Sequence, residues 1–235
     1  MKSLLRLSST CLVTATAMLA LSAGTAHAQW WKLNNGNVAV GGTGQFNTIL
    51  TDSPRSVAAT TSNNAPVTVL NQRQDTTWSA GFIGSLQFHP VSWAGVEVNY
   101  GFTRYQERYS FNYAGTAARQ SVAVPVDYHE ATAGYLIHPK HIPFQPYVVV
   151  GGGAIDFNPH GNAVNAKDVT YGSAQWRGAG LLEAGFDLPT HNKHIGFRIS
   201  GRSLYYRSPN FQTAAISTRS WRVTTEPAVS VFYKF

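Results

Sequence analysis

The segment 219–235 reads RSWRVTTEPAVSVFYKF, and apolar and polar side chains alternate along it. Successive side chains of an extended strand point to opposite sides, so the alternation gives this segment two faces. One face carries the apolar members Trp221, Val223, Val229, Val231, Tyr233 and Phe235. The other face carries the polar members Arg222, Glu226, Ser230 and Lys234. The pattern predicts a β-strand that separates an apolar environment from a polar one.

Seven further segments alternate in the same way. With the last one, they occupy 37–50, 76–89, 93–112, 121–138, 144–158, 174–188, 194–207 and 219–235. Aromatic residues gather at the segment ends, with Trp78 and Trp176 at one level and Trp93 and Phe144 at the other. Amphipathic rings prefer the headgroup level of a membrane, so the two groups predict two aromatic belts. Alternation alone also fits a β-sandwich, whose apolar face would form a core.

The connections decide between these folds, because they fall into two length classes. Three are short, at 89–92, 139–143 and 189–193. Four are mostly longer and rich in Ser, Thr, Asn and Gly, at 51–75, 113–120, 159–173 and 208–218. Short turns on one rim and long loops on the other are typical of outer-membrane barrels. We therefore predict an all-β fold, an eight-stranded antiparallel up-and-down transmembrane β-barrel.

The first long loop contains a short hairpin that pairs 57–61 with 67–70. Its halves are too short to cross a membrane, since a tilted strand needs about 9–11 residues. A ten-stranded barrel is therefore the less favoured alternative.

The composition agrees with a membrane barrel. Charged residues make up 12% of the 235 residues, against about 25% in an average soluble domain. Beyond residue 28 no run of 18 apolar residues occurs, which excludes a helical membrane protein.

The N-terminus has the features of an export signal. Lys2 and Arg6 precede an apolar stretch, and Ala26-His27-Ala28 fits a cleavage site. We expect a signal peptide over 1–28, a short periplasmic segment over 29–36, and an outer-membrane barrel over 37–235 of a Gram-negative-type bacterium. The only cysteine, Cys11, lies in the signal, so disulfide and cysteine–metal chemistry are excluded for the mature chain.

Two stretches carry a resemblance to a known family. The strand 146–153 reads PYVVVGGG, and the chain ends in 229–235, VSVFYKF. Over its mature length the chain resembles the OmpA/OmpX-type family of small outer-membrane barrels. The resemblance implies that Val229, Val231, Tyr233 and Phe235 form the signal read by the outer-membrane assembly machinery. Larger members add a peptidoglycan-binding domain, which is not carried over because the chain ends at Phe235.

Two segments are harder to orient than the rest. In 121–138 the upper valines, Val122, Val124 and Val126, have the opposite phase to the lower part, which predicts a bulge or an extension beyond the membrane. In 144–158 we place the apolar members outward: Tyr147, Val149, Ile155 and Phe157.

The inward positions carry charges of both signs. The acids are Glu97, Glu130, Asp156, Glu183 and Glu226, and the bases are Arg177, Arg198, Arg202 and Arg222. An eight-stranded barrel is only just wide enough for its side chains, so these charges should pair. Counting from the loops predicts the pairs Arg177–Asp156, Glu183–Arg198 and Arg202–Glu226. A near-neutral, ion-paired lumen favours a plug over a pore.

These observations predict a structural or surface-interacting barrel that is not an enzyme and holds no cofactor and no metal. The alternatives are a narrow porin-like channel for small solutes and a lipid-modifying enzyme. The enzyme would use Asp127 and His129 with Ser121 or Ser220, but no nucleophile motif supports it.

The expected partners are outer-membrane lipids and lipopolysaccharide, the assembly machinery, and an extracellular ligand for loops 51–75 and 159–173. Nucleic acid is not expected, since the mature formal charge of +5 fits surface and lumen arginines. Five histidines lie in or beside the short turns: His89, His138, His141, His191 and His194. The pairs 138/141 and 191/194 fit a metal or a pH response, although capping of the barrel rim is the simpler interpretation.

Overall fold

The computed structural model describes residues 36–49, 57–60, 66–113, 120–139, 142, 144–160, 174–211 and 220–235. The chain divides into a unit 1–34 and a unit 35–235, and the first unit, with the predicted signal peptide, lies outside the described residues. The strands are β1 Gly36–Ile49, β2 Val57–Thr60, β3 Pro66–Thr76, β4 Ser79–Val91, β5 Ala94–Tyr113, β6 Gln120–Ile137, β7 Pro146–Pro159, β8 Gln175–Pro189, β9 Ile195–Arg207 and β10 Trp221–Lys234. In the described part of the chain no helix is long and apolar enough to cross a membrane.

Eight of the ten strands close into an antiparallel barrel. Going round it, the order is β1, β4, β5, β6, β7, β8, β9 and β10, and β10 pairs with β1 again. The first and last strands meet along their length, with Val38 opposite Tyr233 and Ile49 opposite Arg222. The predicted eight-stranded up-and-down barrel is confirmed, and the sequence segments match the barrel strands to within three residues.

The remaining two strands extend the wall of the barrel on one side. β3 pairs with the upper part of β5, from Thr76 opposite Glu107 to Val69 opposite Tyr113. β2 pairs with the start of β3, which is the short hairpin that the sequence predicts in the first loop. The barrel therefore has a turn end, with the connections at 92–93, 138–145 and 190–194, and a loop end, where β5 and β6 project farthest.

The outer wall is apolar, with aromatic side chains at both ends. Trp78 and Trp176 near the loop end are 76% and 62% exposed, and Trp93 and Phe144 near the turn end are 48% and 65% exposed. Between them lie exposed aliphatic side chains, including Val40, Val98, Val150, Leu182 and Val229. Such exposure would be unfavourable in water, but it is what a lipid bilayer requires.

The inner face corrects two predictions from the sequence. β5 and β6 pair without a register shift from Ala94–Ile137 to Phe111–Gln120, so the bulge, one of the two alternatives predicted for β6, is absent, while the extension is not contradicted. Val122, Val124 and Val126 point inward, in phase with Glu130 below them. On β7 the predicted outward set is also buried inside: Tyr147, Val149, Ile155 and Phe157.

For the valines of β6 and for Ile155 and Phe157 the physical cause is that the lumen toward the loop end is apolar. Tyr105, Tyr109, Tyr128 and Tyr206 pack there with the valines of β6 and with Phe157 and Phe211. Where both faces of a strand are apolar, polarity no longer distinguishes the inside from the outside. Tyr147, nearer the turn end, points inward with its ring beside Arg198 and its hydroxyl donating to Glu183.

Candidate functional site

Three fully or almost fully buried arginines occupy the lumen at three heights. Arg198 and Arg202 lie four residues apart on β9, and Arg222 on β10 lies opposite Tyr206, another four residues up β9. At a rise of about 3.3 Å per residue, each level is about 13 Å from the next along the strand. Each arginine reaches side chains on strands other than its own, so each forms a layer across the barrel.

The layer nearest the turn end is centred on Arg198. Its Nε and Nη2 donate to the two carboxylate oxygens of Asp187, each over 2.8 Å. Nη2 also donates to Asn37 Oδ1 over 3.0 Å and to Gln87 Oε1 over 2.7 Å. Since these partners lie on β8, β1 and β4, the guanidinium connects four strands. The rings of Tyr147 and Phe232 lie 5.3 Å and 5.6 Å from it, which adds cation–π contacts.

The middle layer is centred on Arg202, which is completely buried. Its Nε donates to Glu183 over 3.0 Å, and its Nη1 donates to Glu226 over 3.0 Å and to Glu130. Nη2 donates to the Thr132 hydroxyl over 3.1 Å. One guanidinium on β9 thus binds three carboxylates from β6, β8 and β10.

The upper layer joins Arg222 to Glu107. Arg222 Nη2 donates to Glu107 Oε2 over 2.9 Å, and Nη1 donates to Oε1. The same carboxylate accepts from Gln74 Nε2 over 3.0 Å and from the Tyr105 hydroxyl over 2.9 Å. Both charged side chains are fully buried, so this bidentate pair is shielded from water.

Glu97 differs from the other lumen acids because it is buried without an ion-pair partner among the described residues. Its oxygens accept from the amides of Asn99, over 2.7 Å, and of Gln87. The amide oxygen of Asn99 has no hydrogen-bond partner in the described structure, and the residue is 2% exposed.

The structure brings together some of the predicted lumen charges and separates others. Arg202 does contact Glu226, as the sequence predicts. The predicted pair Glu183–Arg198 is wrong, because Glu183 binds Arg202 and Arg198 binds Asp187. A count of residues from the loops puts Glu183 one layer too low. In the strand pairing, Asp187 is opposite Arg198 and Glu183 is opposite Arg202.

The predicted pair Arg177–Asp156 is also wrong. Asp156 lies between the buried residues Ile155 and Phe157, so its side chain is on the outer face, beside His129 in the strand register. Arg177 is on the inner face and half-buried, and its Nη2 lies 3.5 Å from Asn210 Oδ1.

Sequence reasoning omitted two acids of the network, Glu107 and Asp187. Glu107 lies ten residues from Glu97 on the same strand, so the two share a face, and the period of two would have found it. Asp187 shares the inward face of β8 with Glu183.

A cavity of about 270 Å³ opens at the turn end, below the Arg198 layer. Its wall includes His89, His138, Asp187, Tyr147 and Lys234. The rings of His89 and His138 are edge to face with centroids 5.1 Å apart. Burial lowers the pKa of His138, which lies in the turn after β6. The nearby Asp187 raises this pKa and Lys234 lowers it, but burial has the largest effect.

The turn histidines are therefore arranged differently from the predicted pairs. His138 lies against His89, which is in β4, while His141 lies outside the described residues. His194 Nδ1 lies 2.9 Å from the Lys234 carbonyl oxygen and its ring stacks on Tyr233, which caps the end of β10. Among the described residues no cluster of three or more metal-ligating His, Asp or Glu side chains occurs.

The residues considered for an enzyme do not form a catalytic group in the described structure. Asp127 accepts from Arg104 Nε over 2.6 Å on the outer wall, and the Tyr100 hydroxyl lies 2.8 Å from His129 Nδ1. Ser121 is opposite Ser110, six residues above Asp127 along β6, and Ser220 is buried inside the barrel. A Ser-His-Asp mechanism needs the three side chains in contact, which is not the arrangement of these residues.

Comparison with known proteins identifies no matching family model and no matching curated protein. Among solved structures, the outer membrane protein OprG from Pseudomonas aeruginosa is similar at 12% identity and a TM-score of 0.46, covering 86% of this chain and 97% of that chain. Ail, the attachment invasion locus protein of Yersinia pestis, is similar at 12% identity and 0.45, covering 85% and 97%. Neisserial surface protein A is similar at 11% identity and 0.44, covering 85% and 97%.

The architecture is established by the strand order and the side-chain distribution of the chain itself. Every barrel strand pairs with two neighbours, the outer wall is apolar, and charges lie inside. The chain is an eight-stranded antiparallel β-barrel with an apolar outer wall and charged side chains inside.

Proposed function

We propose that this protein is a closed outer-membrane barrel with a structural or surface-interacting role, whose lumen is filled by ion-paired side chains. The observation that carries the proposal is the middle layer, in which Arg202 connects carboxylates on β6, β8 and β10 while it is completely buried. A continuous aqueous path would leave this guanidinium exposed to water.

The layers above and below support the same role. Arg198 joins β9 to β8, β1 and β4, and Arg222 joins β10 to β5. Around and between them the lumen is filled by tyrosine, valine, leucine and phenylalanine side chains. Three bonded layers packed in an apolar cluster make a stiff plug, and a solute would have to break each layer in turn.

A narrow channel is the second candidate, and the cavity at the turn end favours it. This cavity of about 270 Å³ would admit a small solute as far as the Arg198 layer. For passage, Arg198 would have to release Asp187, Asn37 and Gln87 together. Breaking one buried charge pair costs about 3–5 kcal/mol, so we assign the cavity to a closed vestibule rather than to a pathway.

Liposome swelling tests the closed state directly. Proteoliposomes that carry the folded barrel should swell no faster in arabinose or glycine than empty liposomes. A general porin reconstituted at the same protein-to-lipid ratio provides the positive control. Swelling at a rate comparable with the porin would contradict the plug and favour the channel.

The side chains on the outer wall at the loop end support lipopolysaccharide as a partner. The Arg207 guanidinium lies 5.0 Å from the Trp221 ring, which stacks on Tyr205 at 4.7 Å. Arginine beside aromatic rings at the headgroup level suits the phosphates of lipopolysaccharide. Arg207→Gln should then lower the amount of lipopolysaccharide that copurifies with the barrel, whereas Lys193→Gln, in the exposed turn 190–194 at the other rim, should not lower it. Equal amounts with wild type and Arg207→Gln would contradict this contact.

The long loops 51–75 and 159–173 are proposed to meet an extracellular ligand, since loops on a rigid barrel carry binding specificity. Of these loops, 51–56, 61–65 and 161–173 lie outside the described part of the chain. The side chains proposed to be read by the assembly machinery point outward on β10, with Val229 58% exposed and Phe235 37% exposed.

A further inference from the structure

The middle layer of the lumen holds more acids than its arginine can balance. Arg202 binds three buried carboxyl groups, those of Glu130, Glu183 and Glu226. Glu97 is also fully buried and forms no ion pair among the described residues. If all four acids were ionised, one guanidinium would face four carboxylates, and three negative charges would remain uncompensated.

The other two buried arginines do not supply the missing positive charge. Arg198 donates to both carboxylate oxygens of Asp187, and Arg222 donates to both oxygens of Glu107. An uncompensated charge in a buried site is very unfavourable, and a buried carboxylate relieves it by taking up a proton. Some of the four acids of the middle layer should therefore be neutral in the folded barrel.

The four acids form two pairs in which the carboxyl groups meet. Glu130 and Glu226 both accept from Nη1 of Arg202, and their carboxyl groups are within hydrogen-bond reach of each other. The carboxyl groups of Glu97 and Glu183 are within reach of each other in the same way. Two carboxylates repel at such a distance, whereas a carboxylic acid can donate its O–H to a carboxylate. Each contact is therefore suited to one shared proton.

The surroundings of Glu97 contain an acceptor that lacks a donor. Asn99 is 2% exposed, and its Nδ2 donates to Glu97 Oε1 over 2.7 Å, but its Oδ1 is buried without a hydrogen-bond partner in the described structure. A buried acceptor without a donor is unfavourable. A proton on Glu97 would add a donor beside this amide.

Few other charged or titratable groups act on the four acids. In the described part of the lumen they are Tyr128 on β6, Tyr147 on β7, and Arg198 and Arg202 on β9. The Tyr147 hydroxyl donates to Glu183 over 2.8 Å, and the Tyr128 hydroxyl donates to Glu130 over 3.2 Å. Since a neutral tyrosine adds no positive charge, these contacts stabilise single oxygens but leave the charge imbalance in place.

We propose that the folded barrel retains two protons in its lumen at neutral pH, one shared by Glu130 and Glu226 and one shared by Glu97 and Glu183. Each pair then carries one negative charge instead of two. Together with Arg202, the four acids carry a single net negative charge. Folding of this barrel therefore takes up protons, and the middle layer is a site of alkali sensitivity.

Infrared spectroscopy tests the proposal directly, because a protonated carboxyl group has a C=O band that a carboxylate lacks. The folded wild-type barrel is measured at pH 7.5 in a detergent without ester groups. We expect a carboxylic acid band, and glutamate labelled with ¹³C at the side-chain carboxyl should shift it to lower frequency. Absence of the band, or a band that this label does not shift, would overturn the proposal.

Variants locate the two protons. Glu226→Gln and Glu97→Gln should each remove about half of the band, since each leaves its former partner ionised, and the double variant should remove it. Asp127→Asn is the matched control, because Asp127 lies on the outer wall with Arg104 Nε 2.6 Å away. It should leave the band unchanged. An undiminished band in the double variant, or an equal loss in Asp127→Asn, would overturn the assignment.

The pH dependence of stability provides a second test, and its sign is defined. In the unfolded chain a glutamate has a pKa of about 4.3 and is ionised at neutral pH. The folded barrel then holds more protons than the unfolded chain, so the shared protons make the free energy of unfolding fall as the pH rises above that value. Urea titration at pH 6 and pH 9 should show a larger loss for the wild type than for the double variant Glu97→Gln, Glu226→Gln. An equal change in both proteins would contradict the shared protons.

Discussion

Arg222 on β10 donates from Nη2 to Glu107 on β5 over 2.9 Å, and this contact joins two strands that are not neighbours in the barrel. Backbone pairing holds each strand to the next, but it does not fix the cross-section of the barrel. A side-chain pair across the lumen does, because a change in cross-section would separate the two charges. The arginine layers at Arg198 and Arg202 act in the same way at other heights.

Glu107→Gln should destabilise the barrel strongly, since it leaves the fully buried Arg222 without its anion. Removal of one partner of a buried pair costs about 3–5 kcal/mol. Urea titration of the folded barrel in detergent measures the free energy of unfolding. The double variant Glu107→Leu, Arg222→Met should recover much of the loss, because no unpaired charge remains. A double variant as unstable as Glu107→Gln would show that the pair itself is not the cause.

Glu226→Gln should cost much less than Glu107→Gln, because Arg202 keeps its contacts with Glu130 and Glu183. Three carboxylates around one guanidinium also repel one another, and the substitution removes part of that repulsion. The same urea titration compares the two variants. A loss for Glu226→Gln as large as that for Glu107→Gln would contradict the shared layer.

Glu97→Gln should leave the stability unchanged or raise it. Glu97 is buried and forms no ion pair among the described residues, so its charge is unfavourable in the lumen. A glutamine keeps one oxygen to accept a hydrogen bond, and its amide nitrogen can donate to the unpartnered oxygen of Asn99. Thermal unfolding of both forms at pH 8 measures the difference. A lower midpoint for Glu97→Gln would show that the carboxylate itself is needed.

The sequence was sufficient to predict the strands, but it was not sufficient to predict which side chains fill the lumen. On β9 up to Arg202, and on β6 from Glu130 to Ala133, polar residues point inward and apolar residues outward, so the period of two gives both the strand and its orientation. On β7, Tyr147 and Phe157 are as apolar as the residues outside, and orientation then depends on packing with β6 and β8. Whether a strand faces a polar or an apolar part of the lumen is a property of the whole barrel.

Ion pairs across the lumen are still harder to predict, since they depend on register. Counting from the loops gave Arg202–Glu226, whose strands are neighbours and whose residues lie opposite each other. It failed for Arg198, because an offset of four residues moves a partner to the next layer. Arg222–Glu107 joins strands that are not adjacent, so no pairwise strand count would have found it.

Surface labelling of introduced cysteines tests the orientation of the barrel. The only cysteine of the chain, Cys11, lies in the predicted signal peptide, so the predicted mature chain has no thiol of its own. Asn63→Cys lies in the first long loop, and His191→Cys lies in the turn 190–194. A membrane-impermeant maleimide added to intact cells should label the first variant and spare the second. Both should react after the outer membrane is broken. Labelling of His191→Cys alone on intact cells would invert the proposed topology.

The most direct test of the closed lumen is single-channel conductance in planar bilayers. The wild-type barrel, folded in detergent and inserted at high dilution, should give no steady conductance over a range of applied voltages. Arg202→Ala removes the guanidinium that is proposed to close the lumen at mid-height, and it should produce brief, fluctuating openings. Asp156→Asn, on the outer wall, should remain as silent as the wild type. A stable, voltage-independent conductance from the wild-type barrel would contradict the plug.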